Sequence, residues 1–406
     1  MGERVARELD FGSLLDLLPA DPGACAVAAP SARGRSPLSY ARLHDFLGGG
    51  GPLDDLGLRP GDRCAIAIPE GPELAVCLLA VSNRCAAVPM NPWNPEGEVA
   101  TDLAETAAKV LIVQVGTDFD HLRRAARTAG VNVVDLRPDP STAGLFALEV
   151  DGRAAAAADL PAAGHARQRV NGPDDVALEL FTSGTSGRKK RVPILLRDLV
   201  VGASCIAAAL ELGPEDRGFN MMPLFHAGGI VRNLFAPLLA GSSMVYSDGF
   251  DPAAFWDELV GGGGFTWYYA SPTMHDGILH EGQARTATAR LRFVCNAAGD
   301  LLPSMAARLR ERFQAAVLPG YGMTECMPIA IPPLDYRLER QGASGLVLGP
   351  RVRILYEWGE PGPDRCRRPD HDQRRPARAH RPGRARAGRA AGPGGLVRHR
   401  RHRPVR

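Results

Sequence analysis

A loop rich in small hydroxyl residues offers the first chemistry in this sequence. FTSGTSGRKK (181–190) sets Thr, Ser and Gly residues ahead of a basic cluster, directly after the β-like run ALEL. Backbone N–H groups, hydroxyls and a lysine at this density can wrap a phosphate. The loop is not the common P-loop, because no Ser or Thr follows its lysines. Taken alone, it is equally typical of an ordinary surface turn.

Two further segments carry potential ligands at the ends of apolar runs. YGMTE (321–325) combines an aromatic ring, a hydroxyl and a carboxylate, which suit a base, a phosphate and Mg²⁺. PLFHAGGI (223–230) places one His beside two glycines. A single His is more often a solvated or satisfied side chain than a catalytic one. Each segment alone leaves a purely structural role open.

The runs that lead into these loops belong to a repeated strand–helix alternation. One series covers residues 56–136, and a second begins at residue 177. Residues 137–175, rich in Ala, Asp, Gly and Pro, favour a loose surface connection. The alternation predicts an α/β fold with two βαβ-rich subdomains, each built on a parallel sheet.

In this order and at these separations, the segments resemble the adenylate-forming (AMP-binding) superfamily, which includes acyl-CoA synthetases and the adenylation domains of peptide synthetases. The resemblance covers roughly residues 25–361. It implies a large N-terminal domain that ends with the start of a β-barrel-like subdomain. Lys190 falls on the family lysine, whereas Lys189 stands where Pro is usual and Arg191 where Gly is usual. These two changes predict a more basic and less flexible loop.

The resemblance implies specific roles for the matching residues. Glu325 would hold Mg²⁺, Thr324 would contact the α-phosphate and His226 would border the carboxylate, and with Lys190 these are the expected catalytic residues. The expected phosphate-binding residues are Thr182, Ser183, Gly184, Thr185, Ser186, Gly187 and Lys190. The expected adenine-binding residues are Ala298, Gly299, Tyr321 and Gly322.

The expected acyl pocket is sought in four segments, 225–231, 268–274, 295–299 and 320–328. Its candidates are His226, Gly228, Gly229, Ser271 and Met323. The surrounding sequence indicates an apolar acyl group more than an α-amino acid, because no acidic residue is clearly placed to pair with an ammonium group.

The resemblance also implies the reaction. A carboxylate attacks ATP to give an acyl-adenylate, and a thiol then takes the acyl group. CoA is the expected acceptor, and the pantetheine of a carrier protein is the alternative. A third alternative is a catalytically dead remnant that only binds nucleotide or acyl substrate.

The last 45 residues differ in character from the rest. Residues 365–406 hold 15 Arg, no Lys and two Asp, so they carry a formal charge of +13 against −10 for residues 1–364. The family's W-F-x-T-G-D motif and its small lysine-bearing domain do not follow in the written frame. A one-base shift lets codons for 396–406 encode Trp-Phe-Asp-Thr-Gly-Asp. We therefore interpret residues 1–361 as the AMP-binding domain and 362–406 as an out-of-frame, disordered tail of a truncated chain. A genuine nucleic-acid-binding arm is the alternative.

Composition argues against several other classes of protein. An acidic body argues against a nucleic-acid surface on the main domain. The eight Cys contain no CxxC pair, so neither a zinc site nor a disulfide framework is indicated. The longest apolar run, AVCLLAV (75–81), is too short to span a bilayer. We expect a cytoplasmic protein with ATP, a small carboxylate and CoA as partners, with no nucleic-acid partner.

Overall fold

The computed structural model describes 9–19, 21–48, 53, 56–150, 152–154, 169–182, 189–285, 290–296, 298–336, 343–348 and 352. The predicted sites Ser183, Gly184, Thr185, Ser186 and Gly187, and the interpreted tail 362–406, lie outside these residues.

The described elements alternate along the chain much as the sequence predicts. The strands are β1 (Cys25–Ala28), β2 (Leu38–Ser39), β3 (Arg63–Ala67), β4 (Ala86–Pro89), β5 (Val110–Gln114), β6 (Asn132–Pro138), β7 (Phe146–Val150), β8 (Arg153–Ala154), β9 (Val176–Thr182), β10 (Lys190–Leu195), β11 (Arg217–Asn220), β12 (Ser243–Tyr246), β13 (Trp267–Ala270), β14 (Phe293–Asn296), β15 (Ala316–Pro319), β16 (Tyr321–Met323), β17 (Cys326–Ile331) and β18 (Leu346–Val347).

The helices follow the same alternation. They are α1 (Tyr40–Gly48), α2 (Pro72–Arg84), α3 (Glu96–Thr106), α4 (Asp120–Ala129), α5 (Leu196–Ala209), a π-helix (Gly228–Phe235) that continues into α6 (Ala236–Leu239), α7 (Pro252–Val260), α8 (Pro272–Glu281) and α9 (Pro303–Phe313).

Three sheets organise these elements. The first sheet has the order β10-β9-β4-β3-β5-β6-β7-β8, and its central strands are parallel. The second sheet has the order β15-β14-β13-β11-β12-β1-β2 and is parallel except for the β1–β2 pair. The third is a small antiparallel sheet of β16, β17 and β18, and it is not closed into a barrel within the described residues. The α/β prediction is confirmed, with mixed rather than purely parallel sheets.

The chain crosses between the two large sheets more often than the sequence predicts. β1 and β2 precede the first sheet in sequence but join the second, while β9 and β10 open the second series but join the first. The division into two consecutive series is therefore wrong at both ends. β9 is largely buried, so its composition indicates an interior strand without indicating which sheet it enters.

The region interpreted as a loose connection also contains strands. β7 pairs antiparallel with β6, and β8 pairs with β7, which extends the edge of the first sheet. The Ala- and Asp-rich composition concealed these short strands, because an edge strand needs only a few alternating apolar residues to pair.

Helix α2 joins the two large layers. All thirteen of its residues are buried, and it packs against β4 and β9 of the first sheet and β12 of the second. Its central run LAVCLLAV (74–81) is apolar on every side of the helix, so it must be covered on every side. Its burial fixes the two sheets relative to each other, and it thereby positions loops that arise from different sheets.

Candidate active site

The carboxyl ends of four adjacent strands of the second sheet supply most of the predicted site. β11 leads into the loop that holds His226, β13 into Ser271, β14 into Ala298 and Gly299, and β15 into Tyr321. Parallel strands end at the same edge, which is where ligands bind in open α/β sheets. The fold thus collects segments that lie about 100 residues apart in sequence.

The Thr324–Glu325 pair forms the turn between β16 and β17. Met323 pairs with Cys326 across this hairpin, so Thr324 and Glu325 stand at its tip. The Glu325 side chain retains 18% of its accessible area. A two-residue turn holds the hydroxyl and the carboxylate next to each other and leaves both accessible to a ligand.

The phosphate loop reaches this turn from the first sheet. Thr182 at the end of β9 pairs directly with Lys190 at the start of β10, so the two residues bracket the loop. The Lys190 ammonium Nζ lies 2.7 Å from Glu325 Oε1. This ion pair joins two segments that are 135 residues apart and start from different sheets.

The two departures from the family pattern have defined partners. Lys189 Nζ lies 2.5 Å from Glu98 Oε1 and also donates to Asp102, both on α3. Arg191 donates to the buried carboxylate of Glu179 and to a backbone carbonyl of α3. Their charges are neutralised by neighbouring acids, so these two residues anchor β10 to α3 instead of adding free positive charge to the loop.

The adenine-binding candidates come together at the ends of β14 and β15, which are neighbours in the second sheet. Asn296 Nδ2 donates to the Gly299 carbonyl at 2.7 Å, which holds the turn that contains Ala298. Ala298 adopts a φ of 53°, an unusual backbone conformation for a residue with a side chain and one often found at binding sites. Tyr321 is half-buried, and burial raises the pKa of its hydroxyl.

Gly322 allows a close approach behind Tyr321. A Cβ added there would lie 2.5 Å from the Met327 sulfur on β17, so a side chain at this position would push against the hairpin. The absence of a side chain keeps β16 close to β17.

The His226 loop is fixed from the opposite sheet. The Leu224 N–H donates to both carboxylate oxygens of Glu70, at 3.1 and 3.2 Å, from the loop that follows β3. Burial raises the pKa of Glu70 to about 7, although the Leu224 hydrogen bond opposes the shift. The His226 side chain is exposed on one side and packs edge-on against Phe225, and the protein atoms that crowd its ring lower its pKa by desolvation.

The glycines of the predicted acyl pocket are close to other atoms. A Cβ on Gly228 would lie 3.0 Å from the Tyr269 hydroxyl oxygen, and one on Gly229 would lie 2.3 Å from the Pro223 carbonyl oxygen. Ser271 caps α8, and its hydroxyl accepts the Met274 N–H at 3.4 Å. The predicted pocket residue Met323 is half-buried on β16.

Sequence reasoning missed one functional candidate, Arg232. It lies on the π-helix and is 1% exposed, and its guanidinium carbon sits 4.6 Å from the centre of the Tyr269 ring. Arg232 therefore places a buried cation next to the segments from which the sequence predicts the acyl pocket. The available signal was an Arg, followed by Asn233, inside the mostly apolar run GGIVRNLF.

The donor set fits Mg²⁺ held jointly with phosphates. Within the described ranges, no cluster of three or more His, Cys, Asp or Glu side chains could form an all-protein metal site. Mg²⁺ commonly uses one or two carboxylates and takes its other ligands from water and substrate phosphates. Glu325 at the hairpin tip would be such a carboxylate.

The fold defines an α/β protein with two large mixed sheets and a small antiparallel sheet. The chain belongs to the AMP-binding enzyme family, whose model matches residues 25–367. It is 31% identical over 341 residues to an oxalate–CoA ligase of Arabidopsis thaliana, and the aligned region covers 82% of this chain and 65% of that protein. It is also 31% identical over 311 residues to a sulfoacetate–CoA ligase of Cupriavidus necator, and the aligned region covers 76% of this chain and 58% of that protein. The chain thus spans less than two thirds of each of these relatives.

Solved structures show the same fold. Apo MatB from Rhodopseudomonas palustris superposes with a TM-score of 0.68 at 23% identity, covering 89% of this chain and 67% of that chain. The anthranilate–CoA ligase AuaEII bound to anthranoyl-AMP superposes with a TM-score of 0.71 at 20% identity, covering 88% and 68%. None of the helices in the described ranges has the length and apolar character required to cross a membrane.

Proposed function

We propose that residues 1–361 form the nucleotide-binding domain of an ATP-dependent acyl-CoA ligase. The observation that carries the proposal is the 2.7 Å approach of Lys190 Nζ to Glu325 Oε1, which brings the phosphate loop to the carboxylate of the Thr-Glu turn. The Lys190 ammonium would bind phosphate oxygens, and the adjacent Glu325 carboxylate would hold a metal ion that also binds them, so the pair suits a triphosphate ligand. Residues 362–406 are assigned to an out-of-frame tail.

The proposed reaction has two steps. A carboxylate oxygen of the substrate attacks the α-phosphorus of ATP, and the bond from that phosphorus to the bridging oxygen breaks, so pyrophosphate leaves. A thiolate then attacks the acyl carbonyl carbon, the acyl–phosphate bond breaks, and AMP leaves with the electron pair.

The residues of this chain would act by neutralising and positioning charge. Repulsion between the attacking carboxylate and the triphosphate opposes the first step, and fixed donors in a partly desolvated site reduce it. Lys190, released from Glu325 when nucleotide enters, would bind the phosphates, and the Thr324 hydroxyl would donate to the α-phosphate. Mg²⁺, held by Glu325 and phosphate oxygens, would supply further neutralisation.

CoA is the proposed acyl acceptor. The relatives are named as ligases that join CoA to oxalate, sulfoacetate or ferulate, and their names support CoA over a carrier-bound pantetheine. The same names cover short dianionic acids and an aromatic monocarboxylate, so they leave the acid open.

The test combines calorimetric binding of MgATP to the full chain with ATP–pyrophosphate exchange over a panel of acids. Glu325→Gln and Lys190→Met should each weaken MgATP binding about tenfold, the loss of one charge-assisted contact. Lys109→Met is the matched control, because Lys109 stands at the amino end of β5, at the opposite edge of the first sheet, and pairs with Asp62.

Each outcome distinguishes one alternative. MgATP binding with exchange supports a working ligase domain. Binding without exchange for any acid identifies the nucleotide-binding remnant. Equal affinity in wild type and both site variants would contradict the proposed site.

A further inference from the structure

A buried positive charge without an anionic partner lies beneath the predicted acyl pocket. Arg232 is 1% exposed, and within the described part of the chain it forms no ion pair with a carboxylate. Its Nε and Nη1 atoms are buried without a hydrogen-bond partner. Its neighbours are the Tyr269 ring and the thiol of Cys295, and Arg232 forms a side-chain hydrogen bond with this thiol. Burial raises the pKa of both groups, so both are neutral at ordinary pH and neither supplies a negative charge.

Arg232 stands where all four pocket segments meet. The π-helix that carries it begins two residues after His226. Tyr269 lies near the end of β13, and Cys295 lies on β14. Nη2 lies 2.9 Å from the position of a Cβ built on Gly320, the residue between β15 and Tyr321. The guanidinium is therefore packed against Gly320, at the strand ends where the substrate is expected, and a side chain at this position would displace it.

The surroundings do not compensate this charge. Transferring a guanidinium out of water is costly, and breaking or omitting its counter-ion leaves that cost in place. The stacking on Tyr269 recovers only part of it. A guanidinium stays protonated in proteins, so the residue cannot escape the cost by neutralisation. An anion that enters with the ligand would supply the missing partner and two acceptors for the free N–H groups.

We propose that Arg232 binds a second anionic group on the carboxylate substrate, so that the acid is a short dianion, either a dicarboxylate or a sulfocarboxylate. This inference rests on the proposed function and deepens it by naming the class of acid. Arg is suited to the task because its planar N–H groups match two oxygens of one anionic group.

The position of Arg232 limits the length of the acid. Gly320 and Thr324 are four residues apart, so their separation is at most about 13 Å along the chain. A contact of about 3 Å at each end leaves at most roughly 7 Å for the acid itself. This upper bound admits acids of two to four carbons between and including the charged groups and excludes longer ones.

The experiment compares malonate with propionate, which share three carbons and differ by one carboxylate. Binding of each acid to the full chain is measured by calorimetry with AMP present and absent. Wild type should bind malonate at least tenfold more tightly than propionate. Arg232→Met should abolish this preference, while Arg232→Lys should retain part of it, because Lys keeps the charge but loses the two-oxygen geometry.

The outcomes separate this inference from the proposed function. MgATP binding is measured on the same samples. Its absence in wild type and in both variants would reject the ligase site. Intact MgATP binding, together with equal malonate and propionate affinity in wild type, would overturn the role of Arg232. Retained malonate preference in Arg232→Met would overturn it as well. If the Met variant does not fold by circular dichroism, the Lys variant and the wild-type comparison decide.

Discussion

The contact between α5 and β17 provides a way to disturb the site from outside it. Gly202 on α5 faces the backbone of β17, and a Cβ at this position would lie 2.2 Å from the Met327 carbonyl oxygen. Real Cβ contacts essentially never fall below 3.0 Å. In Gly202→Ala, α5 and β17 must therefore separate by about 1 Å, because neither backbone can rotate out of the way as a side chain would.

Two opposing terms set the change in stability. Ala is favoured over Gly inside a helix by about 1 kcal/mol. Forcing an extra carbon into a packed contact costs about 1–3 kcal/mol. The net loss in free energy of unfolding is thus about 0–2 kcal/mol, and the protein should still fold.

The functional effect should exceed the effect on stability. β17 directly follows the Thr324–Glu325 turn, so a shift of β17 moves both residues relative to Lys190 on the first sheet. A misplacement of about 1 Å in a reacting arrangement can cost on the order of 100-fold in rate. We expect MgATP affinity to fall about tenfold and any exchange activity to fall about 100-fold.

The matched control is Gly97→Ala on α3, where an added Cβ meets no atom within 4 Å. It makes the same substitution within a helix, and it should leave MgATP affinity unchanged while holding or slightly raising stability. Urea unfolding and calorimetry on both variants decide the matter. Wild-type MgATP affinity in Gly202→Ala would refute the argument that this contact positions the turn.

Three further predictions concern neighbouring residues. Burial raises the pKa of Glu70 to about 7, so its contribution to the stability of the folded state is present at low pH and is lost as pH rises from about 4.5 to 7. In Glu70→Gln the free energy of unfolding should fall less steeply with pH, by up to about 1 kcal/mol per pH unit. Urea unfolding of the variant and wild type at pH 5 to 8 measures this difference. Arg191→Met should lower the free energy of unfolding by about 1–2 kcal/mol in the same assay. This is less than the full cost of breaking a buried ion pair, because Arg63 still donates to Glu179. An unchanged unfolding midpoint would contradict this prediction. Gly228→Val should weaken acid binding at least tenfold by filling the space beside the Tyr269 hydroxyl and leave MgATP binding intact, and calorimetry with each ligand tests both halves.

Several parts of the site could be predicted because they depend on local sequence. The runs before YGMTE and FTSGTSG alternate and end in turn residues, so each motif had to stand at a strand end. Parallel strands share an edge, which made the gathering of Ala298, Gly299 and Tyr321 predictable once the strands that lead into them were assigned to one sheet.

The partners of the charged residues were not predictable in the same way. Lys189 and Arg191 looked like free charge on a phosphate loop, but α3 places the Glu98 and Asp102 carboxylates beside Lys189 and a backbone carbonyl beside Arg191. Charge pairing depends on a few ångströms between residues about 90 positions apart, and sequence spacing carries no such distance.

The sequence by itself determined the class of fold and the chemical type of each loop, because periodicity and turn composition act over a few residues. Only the tertiary structure decided which sheet each strand enters, that Lys190 contacts Glu325, and that Arg232 is buried with no carboxylate paired to it among the described residues. Those outcomes come from the packing of two sheets around α2, in which a strand or a charge is placed by surfaces that lie far away in the chain.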